Sequence, residues 1–217
     1  NKVNSINIWK VLTMKKILAF IKDLIPPLFI RLVKRVWHNP NSWYFKGNYL
    51  TWAEAQSLST GYDSTIILDK VLSSTLKVKN GEAAYERDSV IFDKIQYSWP
   101  LLANLMWVAA KKNGNLKVLD FGGSLGSTYF QNKKYLDLIP NLSWSIVEQK
   151  NYVKAGNSKI ATDKLKFYET IDDCISQKKI DVVILSGVLD LIENPYEVLD
   201  KLFLLDIKNI IIDRSAF

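Results

Sequence analysis

Short apolar runs alternate with amphipathic segments over the second half of the chain. The runs predict five strands, at residues 117–122, 143–148, 165–169, 181–187 and 209–214. The segments between them predict four helices, at about 127–138, 151–161, 171–177 and 195–204. Apolar strands that alternate with helices are typical of a parallel sheet covered on both faces. The pattern therefore predicts an α/β class, with a doubly wound parallel sheet in residues 115–217.

Residues 38–114 show helical periodicities separated by stop signals. Thr51 and Glu54 have the spacing of a capping box, which predicts a short helix through Ser57. Three longer helices are predicted from about residue 63 to 78, from about 81 to 97 and from 100 to 112. We expect this N-terminal helical region to be a cap or lid over the sheet domain.

The first 37 residues form a basic amphipathic arm. They hold eight basic residues and one acidic residue, so the arm alone accounts for the formal net charge of +7. The apolar positions follow a helical spacing broken at Pro26 and Pro27, and no uncharged run approaches the ~20 residues of a membrane span. Two interpretations stay open: peripheral contact with an anionic membrane, or packing against the protein's own core or a second copy.

Composition narrows the classes of site. One cysteine, Cys174, excludes an intramolecular disulfide, and one histidine, His38, excludes a histidine-rich metal site. We expect no metal centre. Outside the arm the charges balance, which argues against a nucleic-acid partner. A reducing cytoplasm is the simplest location.

The stretch VLDFGGSLGSTYF joins the first predicted strand to a helix. A phosphate-binding loop needs a lysine after the last glycine, and none is present. The dinucleotide pattern G-x-G-x-x-G matches only at Gly122. The remaining pattern, D/E-x-G-x-G-x-G of methyl-transfer enzymes, matches at Asp120, Gly122 and Gly126, with Ser124 in place of the middle glycine.

Carboxylates at the predicted strand ends suit the parts of S-adenosylmethionine. Asp120 would meet the ammonium group, Glu148 the ribose hydroxyls and Glu169 the adenine amino group. The backbone would approach the cofactor at two places. The first is the loop, at Gly122, Gly123, Ser124 and Gly126, and the second is the end of the fourth strand, at Ser186, Gly187 and Val188. Solvated acids at strand ends are the alternative interpretation of Asp120 and Glu148.

A hydroxyl acceptor would need a general base, and no histidine lies near these motifs. Asp190 is the first candidate, followed by Glu86 and Asp88 in the YERDSV segment. This segment is interpreted as a lid over the cofactor and the acceptor, with Glu86, Arg87 and Asp88 as its polar contacts. The alternatives are a favourable charge at a helix start for Asp190 and ordinary surface ion pairs for the YERDSV segment.

The motifs VLDFGGSLG, IVEQ and LSGVLDLIENP together resemble class I S-adenosylmethionine-dependent methyltransferases. The upstream stretches YLTWAEAQSLSTGYDSTIILDKVL and VKNGEAAYERDSVIFD are similar to a methyltransferase family of bacterial surface-polysaccharide gene clusters. This resemblance covers about residues 43–217. It implies a Rossmann-like fold and a cytoplasmic enzyme, at the inner face of the membrane if the arm binds lipid, that methylates a glycan or small-molecule acceptor.

Two features depart from the resemblance. Ser124 replaces a glycine of the loop, and the sequence ends after the fifth strand, whereas class I enzymes have seven. A non-catalytic, membrane-associated scaffold that retains the fold is therefore kept as the alternative function. The sequence predicts neither the acceptor nor the oligomeric state.

Overall fold

The computed structural model describes residues 48–58 and 65–215. The predicted arm, residues 1–37, lies outside these ranges. The described helices are α1 (Trp52–Ser57), α2 (Thr65–Lys79), α3 (Trp99–Lys111), α4 (Ser127–Leu136), α5 (Lys150–Ala155), α6 (Ile171–Gln177) and α7 (Pro195–Leu204). The strands are β1 (Tyr85–Arg87), β2 (Val90–Phe92), β3 (Asn115–Phe121), β4 (Asn141–Val147), β5 (Leu165–Tyr168), β6 (Val182–Ser186) and β7 (Ile210–Asp213). A π-helical turn, Gly156–Ile160, extends α5, and a 3₁₀ turn, Leu189–Leu191, follows β6.

Strands β3 to β7 form one parallel sheet in the order β5-β4-β3-β6-β7. The chain first builds the sheet outward from β3 to β5 and then returns to the other side of β3 with β6 and β7. This order reversal is the switch point of a Rossmann-like α/β fold, which confirms the predicted fold class. The five strands and four helices predicted for this half are all present, and their ends differ from the prediction by at most two residues when the π-helical turn Gly156–Ile160 is counted with α5.

The strands are apolar on both faces because each face packs against its own hydrophobic cluster, and successive side chains of a strand point to opposite faces. Val118 and Ile184 belong to one hydrophobic cluster, whereas their sequence neighbours Leu119 and Val183 belong to the other. The first cluster includes buried side chains of α3 and α4, and the second includes buried side chains of α6 and α7. Truncation of one such side chain to alanine typically costs about 2–5 kcal/mol, so both layers hold the sheet in place.

The region before the sheet follows the prediction in part. Thr51 caps α1, because its Oγ1 accepts a hydrogen bond from the Glu54 backbone N–H at 3.2 Å. Helices α2 and α3 are present close to the predicted positions, and Pro100 lies in the first turn of α3 as expected.

The helix predicted from about residue 81 to 97 is wrong. The chain instead forms a β-hairpin in which β1 pairs antiparallel with β2. Asp88 and Ser89 make the turn with φ of +50° and +68°, and two successive positive φ values match the twist of a tight hairpin. Tyr85 stacks on Phe92 across the strands, with ring centroids 5.8 Å apart. Aromatic and β-branched residues favour such cross-strand pairs, and this preference outweighs the helical spacing of the segment.

Candidate functional site

The glycine loop after β3 is packed too closely for larger side chains. Gly122 has a φ of +70°, and a Cβ atom there would lie 2.4 Å from Cγ2 of Val188. A Cβ atom on Gly123 would lie 2.6 Å from Cγ of Asp120. Ser124 adopts a φ of +53°, which favours glycine and costs a non-glycine residue about 1–2 kcal/mol. The serine thus takes a glycine-type conformation at the position where the resemblance has glycine.

A cavity of about 420 Å³ opens at the carboxyl ends of β3, β4 and β6. Its volume is within the range of small-molecule sites, and its position is the switch point at which α/β sheets bind ligands. The lining consists of Val71, Arg87, Asp88, Asp120, Phe121, Gly122, Gly123, Ser124, Ser127, Thr128, Val147, Glu148, Gln149, Tyr152, Glu169, Ser186, Gly187, Val188, Leu191, Ile192 and Arg214.

Asp120 is a buried carboxylate at the floor of this cavity. Only 1% of the residue is exposed, and Oδ2 accepts a hydrogen bond from Trp144 Nε1 at 3.2 Å. Burial raises the pKa of Asp120 to about 7, and the charge of Glu148 acts in the same direction. The Trp144 hydrogen bond and the charge of Arg214 oppose this rise in pKa. A cationic ligand beside Asp120 would favour its ionised form and lower its pKa again.

Glu148 links the end of β4 to the glycine loop. Its Oε1 accepts a hydrogen bond from the Ser124 backbone N–H at 3.2 Å, and its Oε2 accepts one from the Gln149 N–H at 2.7 Å. Burial raises the pKa of Glu148, whereas these two hydrogen bonds lower it. Glu169, which follows β5, is exposed and lines the same cavity. Three carboxylates thus lie at or just beyond the carboxyl ends of three adjacent strands.

The ends of β6 and β7 form the opposite side of the cavity. Ser186 Oγ donates a hydrogen bond to Asp213 Oδ2 at 3.0 Å and accepts one from Arg214 Nε at 3.1 Å. The Gly187 N–H donates to the Asp213 carbonyl oxygen at 2.8 Å. These contacts fix the backbone of residues 186–188, which sequence analysis placed beside the cofactor.

The predicted general bases lie in three different environments. Asp88 lines the cavity. Glu86 is 1% exposed, accepts a hydrogen bond from Ser127 Oγ and is not a lining residue; its burial raises its pKa. Asp190 is exposed in the 3₁₀ turn, and the cavity is lined by the next residues, Leu191 and Ile192, instead. The catalytic roles of all three stay predictions.

All but one of the residues predicted to bind the cofactor line the cavity. Gly126, with a φ of +102°, is the N-cap of α4 and does not line the cavity. Arg87, which the sequence named as a polar contact of a lid, lines the cavity, whereas the sequence prediction missed Arg214. Arg214 follows the fifth strand, so the rule that strand ends face the ligand would have found it. Arg87 was assigned to a helix face, and only the hairpin brings it to the cavity.

The described ranges, 48–58 and 65–215, meet neither the requirements of a membrane-spanning helix nor those of a metal site. None of the helices there is both long and apolar enough to cross a membrane. In the same ranges no three side chains among His, Cys, Asp and Glu are grouped so that they would hold a metal ion.

Together, the strand order and the cavity define a Rossmann-like α/β domain with a small-molecule site at its switch point. Similar solved structures include the plantazolicin methyltransferase BamL in complex with a triazolic desmethylPZN analogue and SAH, at 16% identity and a TM-score of 0.37 over 65% of this chain and 55% of BamL. EvdMO1 is similar at 16% identity and a TM-score of 0.36, over 68% of this chain and 35% of EvdMO1. The N-terminal domain of EvdMO1, crystallised in the presence of SAH and D-fucose, is similar at 14% identity and a TM-score of 0.35, over 63% of this chain and 60% of that domain.

This chain therefore spans between about a third and three fifths of the length of these structures. No protein-family model matches the chain, and no curated protein does so either. Because the TM-scores are below 0.5, the fold assignment depends on the strand order of the chain itself.

Proposed function

We propose that this protein is an S-adenosylmethionine-dependent methyltransferase that O-methylates a sugar or a lipid-linked precursor in surface-polysaccharide biosynthesis. The main support is the convergence of Asp120, Glu148 and the backbone of residues 122–124 on one cavity. The acceptor class is proposed from the sequence resemblance, a cytoplasmic location from the resemblance and the single cysteine, and contact with the inner face of the membrane from the basic amphipathic arm, residues 1–37.

The charges of the cavity fit this cofactor better than a dinucleotide. The Asp120 carboxylate, with one hydrogen-bond donor from Trp144, suits the ammonium of the methionine part. Glu148 suits the ribose hydroxyls, and Glu169 lies one strand further on, where the adenine amino group would be. Two carboxylates near a pyrophosphate would repel it, which argues against a nicotinamide cofactor.

The bound cofactor would supply a methyl group activated by its sulfonium. The chain would hold the cofactor and the acceptor in line, exclude water and accept the acceptor's proton. Asp88 is the candidate base that lines the cavity, and Asp190 and Glu86 are the other two. Apolar lining residues such as Val188 and Ile192 would shield the reacting atoms from water.

Calorimetric titration of the full chain with S-adenosylmethionine and with SAH tests the cofactor assignment. We expect binding to the wild type and about tenfold to hundredfold weaker binding to Asp120→Asn and to Glu148→Gln. Lys117→Gln is the matched control, because Lys117 is an exposed residue near the other end of β3. Equal affinity for all four proteins would contradict the assignment of both carboxylates.

This titration, together with thermal melting in the presence of each compound, separates the alternative functions. A scaffold that only retains the fold would bind neither compound and would melt at an unchanged temperature in their presence. A nicotinamide enzyme would bind the dinucleotide in competition with S-adenosylmethionine.

The acceptor class is tested by mass spectrometry of the surface glycan from a strain that lacks the gene, which should lose about 14 Da for each missing methyl group.

A further inference from the structure

Two arginines, Arg87 and Arg214, line the cavity together with the carboxylates of the sheet and with Asp88, the neighbour of Arg87 in the hairpin turn. The carboxylates at or just beyond the ends of β3, β4 and β5 are Asp120, Glu148 and Glu169. Arg214 follows β7, two strands beyond β3 in the other direction. Neighbouring strands are about 4.8 Å apart, so Glu169 and Arg214 are separated by roughly 19 Å across the sheet. The proposed cofactor contacts account for the sheet carboxylates and leave the two arginines unexplained.

The hairpin supplies the second arginine. Arg87 lines the cavity, and its guanidinium carbon lies 5.3 Å from the ring centroid of Tyr85. Burial raises the pKa of the Tyr85 hydroxyl, whereas the positive charges of Arg87 and Arg214 both lower it. The hydroxyl therefore lies within electrostatic reach of both guanidinium groups.

Two polar groups of this cluster have unused hydrogen-bonding capacity. Within the described part of the chain, Arg87 Nε is buried and has no hydrogen-bond partner. The buried Tyr85 hydroxyl makes no well-aligned hydrogen bond either, although the Arg87 side chain lies close enough to lower its pKa by hydrogen bonding. Tyr85 as a whole is only 3% exposed. An unpaired buried donor costs about 1–3 kcal/mol, so such groups are normally paired in the functional state. Both can donate to oxygen, and an arginine Nε can only donate.

We infer that Arg87 and Arg214, which both line the cavity, form a subsite for an oxyanion, either a carboxylate or a phosphate, with the Tyr85 ring against the Arg87 guanidinium. Guanidinium groups recognise such anions with charge-assisted hydrogen bonds, which are roughly twice as strong as neutral ones. The Ser186 and Asp213 contacts hold Arg214 in place, so its position is prepared before the anion binds.

Two ligands of the proposed enzyme would carry such an anion. One is the carboxylate of the methionine part, which would lie beside the ammonium group at Asp120. The other is an acidic acceptor, such as a uronate or a sugar phosphate. The proposal depends on the proposed function only for the first source, so the two sources are tested separately.

The first arm compares SAH with 5′-methylthioadenosine, which lacks the amino-acid part. Full-length wild type, Arg87→Gln, Arg214→Gln and Tyr85→Phe are titrated with both compounds, with Lys117→Gln as the charge control. If the anion belongs to the cofactor, the arginine variants should bind SAH about tenfold to hundredfold more weakly and methylthioadenosine unchanged. Arg87→Lys should recover part of the affinity, because it restores the charge without the planar fork.

The second arm compares glucuronate and glucose 1-phosphate with neutral glucose, with and without saturating SAH. If the anion belongs to the acceptor, the arginine variants should lose affinity for the two acidic sugars and keep their affinity for SAH. Tyr85→Phe keeps the aromatic ring, and circular dichroism shows whether each variant is folded.

The outcomes separate this proposal from the proposed function. If the wild type binds neither SAH nor methylthioadenosine, the proposed function fails, and the acidic sugars alone decide on the subsite. Unchanged affinity of the folded arginine variants for every probe overturns the oxyanion subsite. Equal losses for SAH and methylthioadenosine, or for acidic and neutral sugars, overturn it as well, as does a wild type that binds no anionic probe.

Discussion

The end of the sheet and the β1–β2 hairpin both bring charged side chains to the cavity, but they do so by different means. At the sheet, Asp120 and Glu148 are placed by the register of parallel strands with buried side chains. At the hairpin, Arg87 and Asp88 depend on a two-residue turn and on contacts with distant residues. The Ser74 hydroxyl, for example, donates to the Ser89 carbonyl oxygen at 2.8 Å. Regular structure holds the first set, and tertiary contacts hold the second.

The largest expected effect comes from equal substitutions at two glycines, one in the loop at the sheet end and one in the turn between α2 and the hairpin. Gly122 and Gly81 have φ of +70° and +78°, but a Cβ atom would meet Val188 at Gly122 and nothing within 4 Å at Gly81. Both alanine variants pay for the positive φ, at about 1–2 kcal/mol. Gly122→Ala should lose about 1–3 kcal/mol more through overpacking. Urea unfolding measures both, and equal losses would show that the loop at the sheet end relaxes freely.

The second prediction concerns the pH dependence of stability at the sheet end. Asp120 has a pKa of about 7 when folded and ~3.9 in an unfolded chain. The folded state therefore binds more protons between these values, so this group's stabilisation is complete below pH ~4 and is lost as pH rises to about 7. Asp120→Asn does not titrate there and should unfold at higher urea than the wild type at pH 8.

The difference between the two unfolding curves isolates Asp120 from the other carboxylates. The stability of Asp120→Asn relative to the wild type should rise with pH by at most about 1.4 kcal/mol per unit. A difference that stays constant from pH 4 to 8 would contradict the raised pKa.

Cofactor affinity should rise with pH, whereas stability falls, because an ammonium group favours the ionised carboxylate. The wild-type affinity should therefore increase up to about pH 7.

A smaller effect is expected from Trp144→Phe, which removes the hydrogen-bond donor to Asp120. The lost donor should raise the pKa of Asp120 further and shift the pH dependence of cofactor binding to higher pH. Because Trp144 is completely buried, the variant should also lose about 1–3 kcal/mol of stability. Calorimetry between pH 6 and 9 measures the shift, and Asp120→Asn/Trp144→Phe should show none.

The same difference between the two regions explains what the sequence predicted. Asp120 and Glu148 follow apolar runs, so the rule for parallel strands was sufficient to bring them together. Residues 85–92 are both amphipathic at a helical spacing and rich in aromatic and β-branched residues, and local pattern does not decide between the two structures. The pairing of Tyr85 with Phe92 and the turn at Asp88 and Ser89 decide it. The helix predicted for this segment was wrong for this reason, although Arg87 was named as a candidate contact.

The smallest expected effect tests the turn that places the hairpin. Ser89 has a φ of +68°, which glycine adopts without strain, and its contact with Ser74 uses only the backbone carbonyl. Ser89→Gly should therefore stabilise the protein by about 0.5–1 kcal/mol in urea unfolding. Ser73→Gly is the matched control, because Ser73 is exposed within α2 and glycine should destabilise that helix by about 0.5 kcal/mol. A loss of stability in Ser89→Gly would contradict the prediction that relief of the positive φ outweighs the conformational entropy of glycine.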